Sequence, residues 1–196
     1  MKNNSSREKG FTLIELMVTV ALVAILMLVA VPSFVTFQRN AELTTRMNSL
    51  MASINTARGE AMKRGRDAVI LPLNGVSWDS GMIAFVDMNS NLTYESATDI
   101  LIYKDEDPKP IYLTITGDNA PFASTPYIRF DAQGYPKPTG SDLRNFTISI
   151  ARNDVTGSEV VNQTRRLKVS ISGRPRICRP ASDSDATCTE STTAGD

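Results

Sequence analysis

The chain has 196 residues with 21 basic side chains, 21 acidic side chains and no histidine. This length suits one globular domain of roughly 100 to 200 residues with an extended element attached. The zero net charge excludes a polycation, so any affinity for nucleic acid has to come from a local patch. The lack of histidine excludes Ser-His-Asp and Cys-His catalysis and His-ligated metal sites, so we expect neither an enzyme nor a bound metal or cofactor.

The N-terminal part of the chain contains a long apolar run. Residues 11–31 read FTLIELMVTVALVAILMLVAV, and Glu15 is the one charged residue among them. About 20 apolar residues in a helix are enough to cross the hydrocarbon core of a bilayer. Lys2, Arg7 and Lys9 precede the run, and basic flanks stay on the cytoplasmic side. The sequence therefore predicts a transmembrane helix, with the rest of the chain beyond the inner membrane.

Three simpler interpretations of this run are a secretory signal peptide, a buried core helix and an ordinary membrane anchor. A signal peptide has a shorter apolar run that ends in small residues at a cleavage site. A buried core helix would not explain the length of the apolar run or the basic residues that precede it. An ordinary anchor passes these tests but leaves Glu15 unexplained, because a carboxylate inside lipid is costly unless it is paired or neutral.

The residues around Glu15 resemble a known signature. Gly10-Phe11-Thr12-Leu13-Ile14-Glu15 is similar to the type IV prepilin motif. The resemblance implies that a membrane prepilin peptidase removes residues 1–10 as a leader and methylates the new amine of Phe11. It also implies that Glu15 pairs with the N-terminal ammonium of a neighbouring subunit in a fibre, and that Pro32 bends the helix.

Beyond Pro32 the sequence keeps a helical period as far as Arg64. Apolar residues recur at spacings of three and four and predict an amphipathic continuation over residues 32–64. They are Phe34, Phe37, Ala41, Met47, Leu50, Met51, Ile54, Ala57 and Ala61. We therefore predict one helix from Phe11 to Arg64 that ends near Gly65. Its second half has to pack on another element, and a sheet is the simplest partner.

Residues 65–180 change to an alternating period, which predicts a β-rich globular domain. The predicted strands are Ala68–Leu73, Met82–Asp87, Ile100–Tyr103, Ile111–Thr116, Tyr127–Asp131, Asn145–Ala151 and Arg165–Ile171. Residues 181–196 form a polar tail with a small loop. The spacing of Cys178 and Cys188, which enclose nine residues, favours a disulfide between them, and free thiols are the alternative.

One loop imitates a metal site. Asp87, Asn89 and Asn91 match the first half of a calcium-binding loop, but Leu92 replaces the required glycine and Thr98 the bidentate glutamate. We interpret the segment as a polar loop.

Two further stretches resemble the GspH/FimT group of minor pilins and pseudopilins. They are residues 57–64 at the helix end and a Trp-x-x-Gly hairpin formed by Trp78 and Gly81, followed by Phe85, Val86, Asp87 and Asn89. The resemblance implies an α+β type IV pilin fold, in which a long N-terminal helix packs on a C-terminal antiparallel β-sheet domain. It also implies a non-enzymatic fibre subunit whose partners are other major and minor pilins.

A basic segment near the C-terminus is the candidate binding site. Six basic residues and no acid lie between Glu159 and Asp183: Arg165, Arg166, Lys168, Arg174, Arg176 and Arg179. Gly173 permits a sharp turn before Arg174 and Arg176. Gly173-Arg174-Pro175-Arg176 resembles the Gly-Arg-x-Arg element of FimT-type DNA-uptake pilins. Such a cluster suits the phosphates of double-stranded DNA without sequence specificity. A basic strand edge that discourages aggregation is the alternative.

The leading hypothesis is a minor type IV pilin that takes part in pilus assembly and in DNA uptake during natural transformation. It would reside in the bacterial inner membrane, with lipid around its helix and its domain in the periplasm, and then in the fibre at the cell surface. One rival is a GspH-like pseudopilin of a type II secretion system that contacts protein cargo. The other is a membrane-anchored periplasmic module for a small ligand.

Overall fold

A computed structural model describes residues 10–138 and 145–190 of the chain. The predicted leader up to residue 9 and the last six residues of the predicted tail lie outside the described residues. The first element is helix α1, Leu13–Arg64, which has 52 residues. Thr12 caps its start, since the Thr12 hydroxyl accepts from the Glu15 amide at 3.3 Å. The helix ends before Gly65, whose φ of +63° is the left-handed conformation that closes many helices.

The part of α1 up to Ala41 belongs to one of two compact units. It holds the one stretch among the described residues that is long and apolar enough to cross a membrane, with a mean hydropathy of 2.8 and no buried residue. Phe11, which precedes the helix, is 75% exposed. Pro32 lies inside the helix, where it removes one backbone donor. The bend at Pro32 stays a prediction.

From Glu42 onward the second unit contains two antiparallel sheets. The strands are β1 Asp67–Pro72, β2 Met82–Asp87, β3 Ile100–Asp105, β4 Leu113–Gly117, β5 Ile128–Phe130, β6 Phe146–Arg152, β7 Thr164–Val169 and β8 Pro175–Cys178. The first sheet has the order β3-β2-β1-β5 and the second β4-β6-β7-β8. A short helix α2, Glu159–Asn162, precedes β7.

Each predicted strand is found, with ends displaced by up to two residues, and the structure adds one strand. The added strand is β8, which is not among the strands predicted from the sequence. Pro175 has no backbone donor, and an edge strand can begin with proline because one side of it needs no partner. β8 is such an edge and pairs only with β7 in the described part of the chain.

The second half of α1 packs on both sheets. Leu43, Met47, Leu50, Ile54, Ala57 and Ala61 are buried along one face of the helix. They join one hydrophobic core with Ile70, Ala84, Ile128 and Phe130 of the first sheet and with Leu113, Ile148, Ile150, Leu167 and Val169 of the second. The spacings of three and four place these helical residues on one side. The predicted helix-on-sheet packing is confirmed.

The loop after β2 uses its buried carboxylates to fold itself. Asp87 accepts hydrogen bonds from the amides of Ser90 at 2.6 Å and Leu92 at 2.9 Å. Asp99 accepts from the amides of Met88 at 3.0 Å and Glu95 at 2.8 Å. These contacts turn both carboxylates toward the backbone of the loop, as the polar-loop interpretation requires.

Candidate functional site

The β7–β8 hairpin carries most of the predicted basic residues. Neighbouring strand residues point to opposite sides of a sheet, so Leu167 and Val169 face the core while Arg166 and Lys168 lie on the other side, here called the outer face. Lys168 is directly opposite Arg176 in the pairing of β7 with β8. Like charges opposite each other destabilise a sheet, so this pair needs acceptor groups nearby.

The turn between the two strands is tight and requires glycine. The Gly173 amide donates to the Ser170 carbonyl at 2.8 Å, and the Ser170 amide donates to the Arg174 carbonyl at 3.2 Å. Gly173 has a φ of +77°, and a Cβ atom there would lie 2.2 Å from the carbonyl oxygen of Gly134. Both its conformation and its close neighbour therefore exclude a side chain. The sharp turn predicted at Gly173 is confirmed.

Arg58 on α1 connects this turn to the helix through hydrogen bonds. Its Nε donates to the Gly134 carbonyl at 2.8 Å, and its Nη2 donates to the Ser172 carbonyl at 3.1 Å. One guanidinium thus joins the helix to the Gly134 loop and to the β7–β8 turn. Sequence reasoning gave Arg58 no such role, because no periodic signal marks a side chain whose partners are distant in the chain.

Arg174 and Arg176 are exposed beside the turn. With Lys168, Ser170 and Ser172 they line an open groove of about 360 Å³. No carboxylate among residues 10–138 and 145–190 is ion-paired with Arg174. The Arg176 guanidinium donates to the Thr187 carbonyl at 3.1 Å. The groove can accept a phosphate group, since it offers two cations and two hydroxyls.

The segment after Pro180 folds back over the outer face, where Cys178 and Cys188 form a disulfide with a Cα–Cα distance of 5.9 Å. Arg166 donates through Nη1 to the Cys188 carbonyl. Lys168, which is 2% exposed, donates through Nζ to the Thr189 hydroxyl at 2.7 Å. Lys168 is therefore buried and Arg166 only partly accessible in this conformation, and their roles as phosphate contacts stay predictions.

Arg165 and Arg179 lie at the other end of the hairpin, beside α2. Arg165 donates to the carbonyls of Asn162 at 3.1 Å and Thr164 at 2.9 Å. Arg179 is exposed and donates to the Asn162 side chain at 3.3 Å. Burial lowers the pKa of Arg165, and the nearby charge of Arg179 lowers it further. These two cations form a separate basic region, away from the turn.

The aromatic residues are distributed unequally around the turn. Phe146 is buried in the core and cannot reach the surface. Tyr135 is exposed on the loop that contacts Gly173 through Gly134. In the N-terminal unit, Gly10 and Phe11 are exposed. Cleavage between Gly10 and Phe11 and pairing of Glu15 with a neighbouring amine stay predictions.

Comparison with known proteins identifies two family matches. Residues 46–173 match the family described as Type II transport protein GspH, and residues 5–31 match the prokaryotic N-terminal methylation motif. Two curated fimbrial proteins of Pseudomonas aeruginosa are each 37% identical over 62 residues. This match covers 32% of the chain and only 40% of the length of each relative.

Among solved structures, the type IV minor pilin FimU of Pseudomonas aeruginosa is similar with a TM-score of 0.53 and 21% identity. The match covers 74% of this chain and 98% of that one, and it supports the fold. The GspH match spans more than half of the chain, from the second half of α1 through β7, and it ends at Gly173 in the β7–β8 turn. The chain therefore belongs to the GspH/FimT group of type IV minor pilins and pilin-like fibre subunits.

Proposed function

We propose that this fibre subunit binds double-stranded DNA through Arg174 and Arg176 and acts in DNA uptake. The observation that carries the proposal is the exposure of both arginines around one groove on a turn fixed by Gly173 and Arg58. Arginine donates two hydrogen bonds in a planar fork that matches phosphate oxygens. A rigid turn also reduces the entropy lost on binding.

We expect the same groove to recognise DNA by its charge and not by its base sequence. The polar groups of the groove are arginines and serines, which can donate to the phosphates of any DNA sequence. Phosphate contacts position a protein on DNA but carry no sequence information. We expect micromolar-class affinity per subunit, with the slope of log affinity against log salt near −0.9 per phosphate contacted.

The test is a binding titration of the full chain, purified in detergent, against a fluorescent DNA duplex at several salt concentrations. Arg174→Ala/Arg176→Ala should weaken binding and reduce the salt slope by about 2, or about 1 per lost phosphate contact. Lys63→Ala/Lys104→Ala is the control, because it removes two exposed lysines at other places on the domain. Equal losses in the two double variants would overturn the proposed site.

The N-terminal part supports a proposal about assembly. The family motif covers residues 5–31, and the apolar stretch of α1 is exposed along its length. In this proposal the peptidase cleaves after Gly10, α1 spans the inner membrane, and the domain lies in the periplasm until the subunit enters a fibre of major and minor pilins. Glu15 and the Phe11 amine make the subunit contact, since each charge in lipid is tolerated when paired.

A second candidate is a minor pseudopilin of a type II secretion system that contacts protein cargo. The description of the matched family favours it. The two candidates share the helix and the fold and differ in the ligand of the domain. A chain that fails to bind duplex DNA at low salt, and whose deletion blocks protein secretion but not DNA uptake, would support the second candidate.

A further inference from the structure

We propose that the outer face of the second sheet is a second phosphate-binding surface, and that residues 181–190 cover its cations Arg166 and Lys168. The proposal rests on the proposed DNA-binding function and extends it to groups that are buried in the present conformation. The surface consists of Thr147 and Ser149 on β6 and Arg166 and Lys168 on β7. Thr147 pairs with Lys168 across the two strands, and Ser149 pairs with Arg166, so the four residues form one block.

The block contains hydrogen-bond donors without acceptors. Thr147 Oγ1, Ser149 Oγ and Arg166 Nε are buried and have no hydrogen-bond partner in the described structure. Thr147 is 0% and Ser149 3% exposed. An arginine nitrogen can only donate, and a buried donor without an acceptor is destabilising. Two hydroxyls and two cations side by side suit an oxyanion, and the phosphate of a nucleic-acid backbone is that class of ligand.

The covering segment supplies neutral acceptors. Arg166 donates to the Cys188 carbonyl and Lys168 to the Thr189 hydroxyl, and the neighbouring Arg176 donates to the Thr187 carbonyl. A charged phosphate oxygen is a stronger acceptor than a carbonyl or a hydroxyl. DNA phosphates and residues 187–189 therefore compete for the same three cations. The disulfide favours the covering segment in this competition, since it ties Cys188 to Cys178 on β8.

Two features hold the cover closed, and each can be removed separately. The first is the disulfide, which uses both cysteines of the chain. The second is Asp185, whose carboxylate accepts hydrogen bonds from the amides of Ala181 and Thr187, both at 2.9 Å. Asp183 lies in the same segment and is exposed, and it accepts neither of these hydrogen bonds. It therefore provides a control with the same change of charge.

The experiment measures duplex DNA binding of the full chain in detergent across salt. Cys178→Ser/Cys188→Ser should raise the affinity about tenfold near 0.1 M salt and steepen the slope by about 2, because Arg166 and Lys168 gain phosphates. Asp185→Ala should shift both quantities in the same direction and by more than Asp183→Ala. Adding Lys168→Gln to the serine variant should remove about half of the increase in slope, because Arg166 still contacts one phosphate.

The outcomes separate the two proposals. Binding that depends on Arg174 and Arg176 but does not increase in the serine variant or in Asp185→Ala overturns the covered surface and leaves the proposed function standing. A gain that Lys168→Gln does not reduce, or that Asp183→Ala matches, also overturns it. Failure of the original chain to bind duplex DNA at any salt concentration overturns the proposed function. Circular dichroism of each variant ensures that the comparison is between folded chains, and Asp185→Ala serves as the test if the serine variant does not fold.

Discussion

The guanidinium of Arg58 on α1 donates a hydrogen bond to the carbonyl of Ser172, immediately before Gly173 in the β7–β8 turn. Its Nε also donates to the Gly134 carbonyl, so one side chain connects the helix to two loops. The conformation of the proposed DNA-binding turn therefore depends on a residue that is far from it in sequence.

Replacing Arg58 with alanine should loosen this turn without removing a phosphate contact. Two charge-assisted hydrogen bonds are lost, and we expect the free energy of unfolding to fall by about 2 to 3 kcal/mol. Amide hydrogen exchange should accelerate at residues 172–174. DNA affinity should fall while the salt slope stays the same, because the arginines that contact phosphate remain. Thr56→Ala, on an exposed part of the same helix, is the control. A reduced slope in Arg58→Ala would mean that Arg58 contacts DNA itself.

Gly173→Ala tests the close approach of the two loops. The new Cβ atom would meet the Gly134 carbonyl at 2.2 Å, and the φ of +77° disfavours any side chain. We expect a loss of about 2 to 4 kcal/mol in the free energy of unfolding from the clash and the strained backbone together.

Gly157→Ala is the matched control for this substitution. Gly157 has a φ of +63° but nothing within 4 Å of its Cβ position, so its substitution introduces backbone strain alone, about 1 kcal/mol. Chemical denaturation of both variants measures the difference. Equal losses would show that the contact with Gly134 does not matter.

Periodicity predicted those parts of the fold in which burial repeats along the chain. The stripe from Met47 to Ala61 gave the helix and its buried face, and the alternation in β6 and β7 gave the second sheet. The same alternation puts Lys168 on the side of β7 opposite Leu167, where the structure has the C-terminal segment. Nothing periodic marks that cover, because it is irregular and is held by a disulfide and side-chain contacts. β8 was missed for a related reason, since it is short and begins with proline.

The stability of the protein should depend on pH, because the Asp185 carboxylate helps to hold the fold of the covering segment. Hydrogen bonds from Ala181 and Thr187 lower the pKa of Asp185 from 3.8 to about 2. A carboxyl group with a lowered pKa in the folded state contributes stability above pH 3.8, and this contribution is lost as the pH falls toward 2.

Thermal melting of the original chain and of Asp185→Asn checks this expectation. The melting temperature of Asp185→Asn should be lower than that of the original chain from pH 5 to 7. The difference should shrink as the pH falls from about 4 to about 2. Asp183→Asn, which removes the same charge, should not reproduce it. A constant difference at every pH would mean that the asparagine disturbs the loop in another way.

Glu15→Gln separates processing from assembly at the N-terminus. A glutamine keeps the size and polarity of the side chain but cannot form an ion pair. If Glu15 is tolerated in lipid because a neighbouring Phe11 ammonium neutralises it, the variant should still be cleaved after Gly10 but should remain in the membrane fraction. Mass spectrometry should find methylated Phe11 as the first residue in both the original chain and the variant, and only the original chain should appear in sheared fibres.

Glu106→Gln is the control for this prediction, because Glu106 is exposed on the domain and pairs only with Lys104 among its described contacts. It should be processed and assembled like the original chain. Entry of Glu15→Gln into fibres at the normal level would show that subunit register does not depend on the ion pair. In that case the apolar surface of α1 alone would have to drive docking of the subunit into the fibre. The Glu15 carboxylate would then destabilise the membrane-inserted subunit without helping assembly.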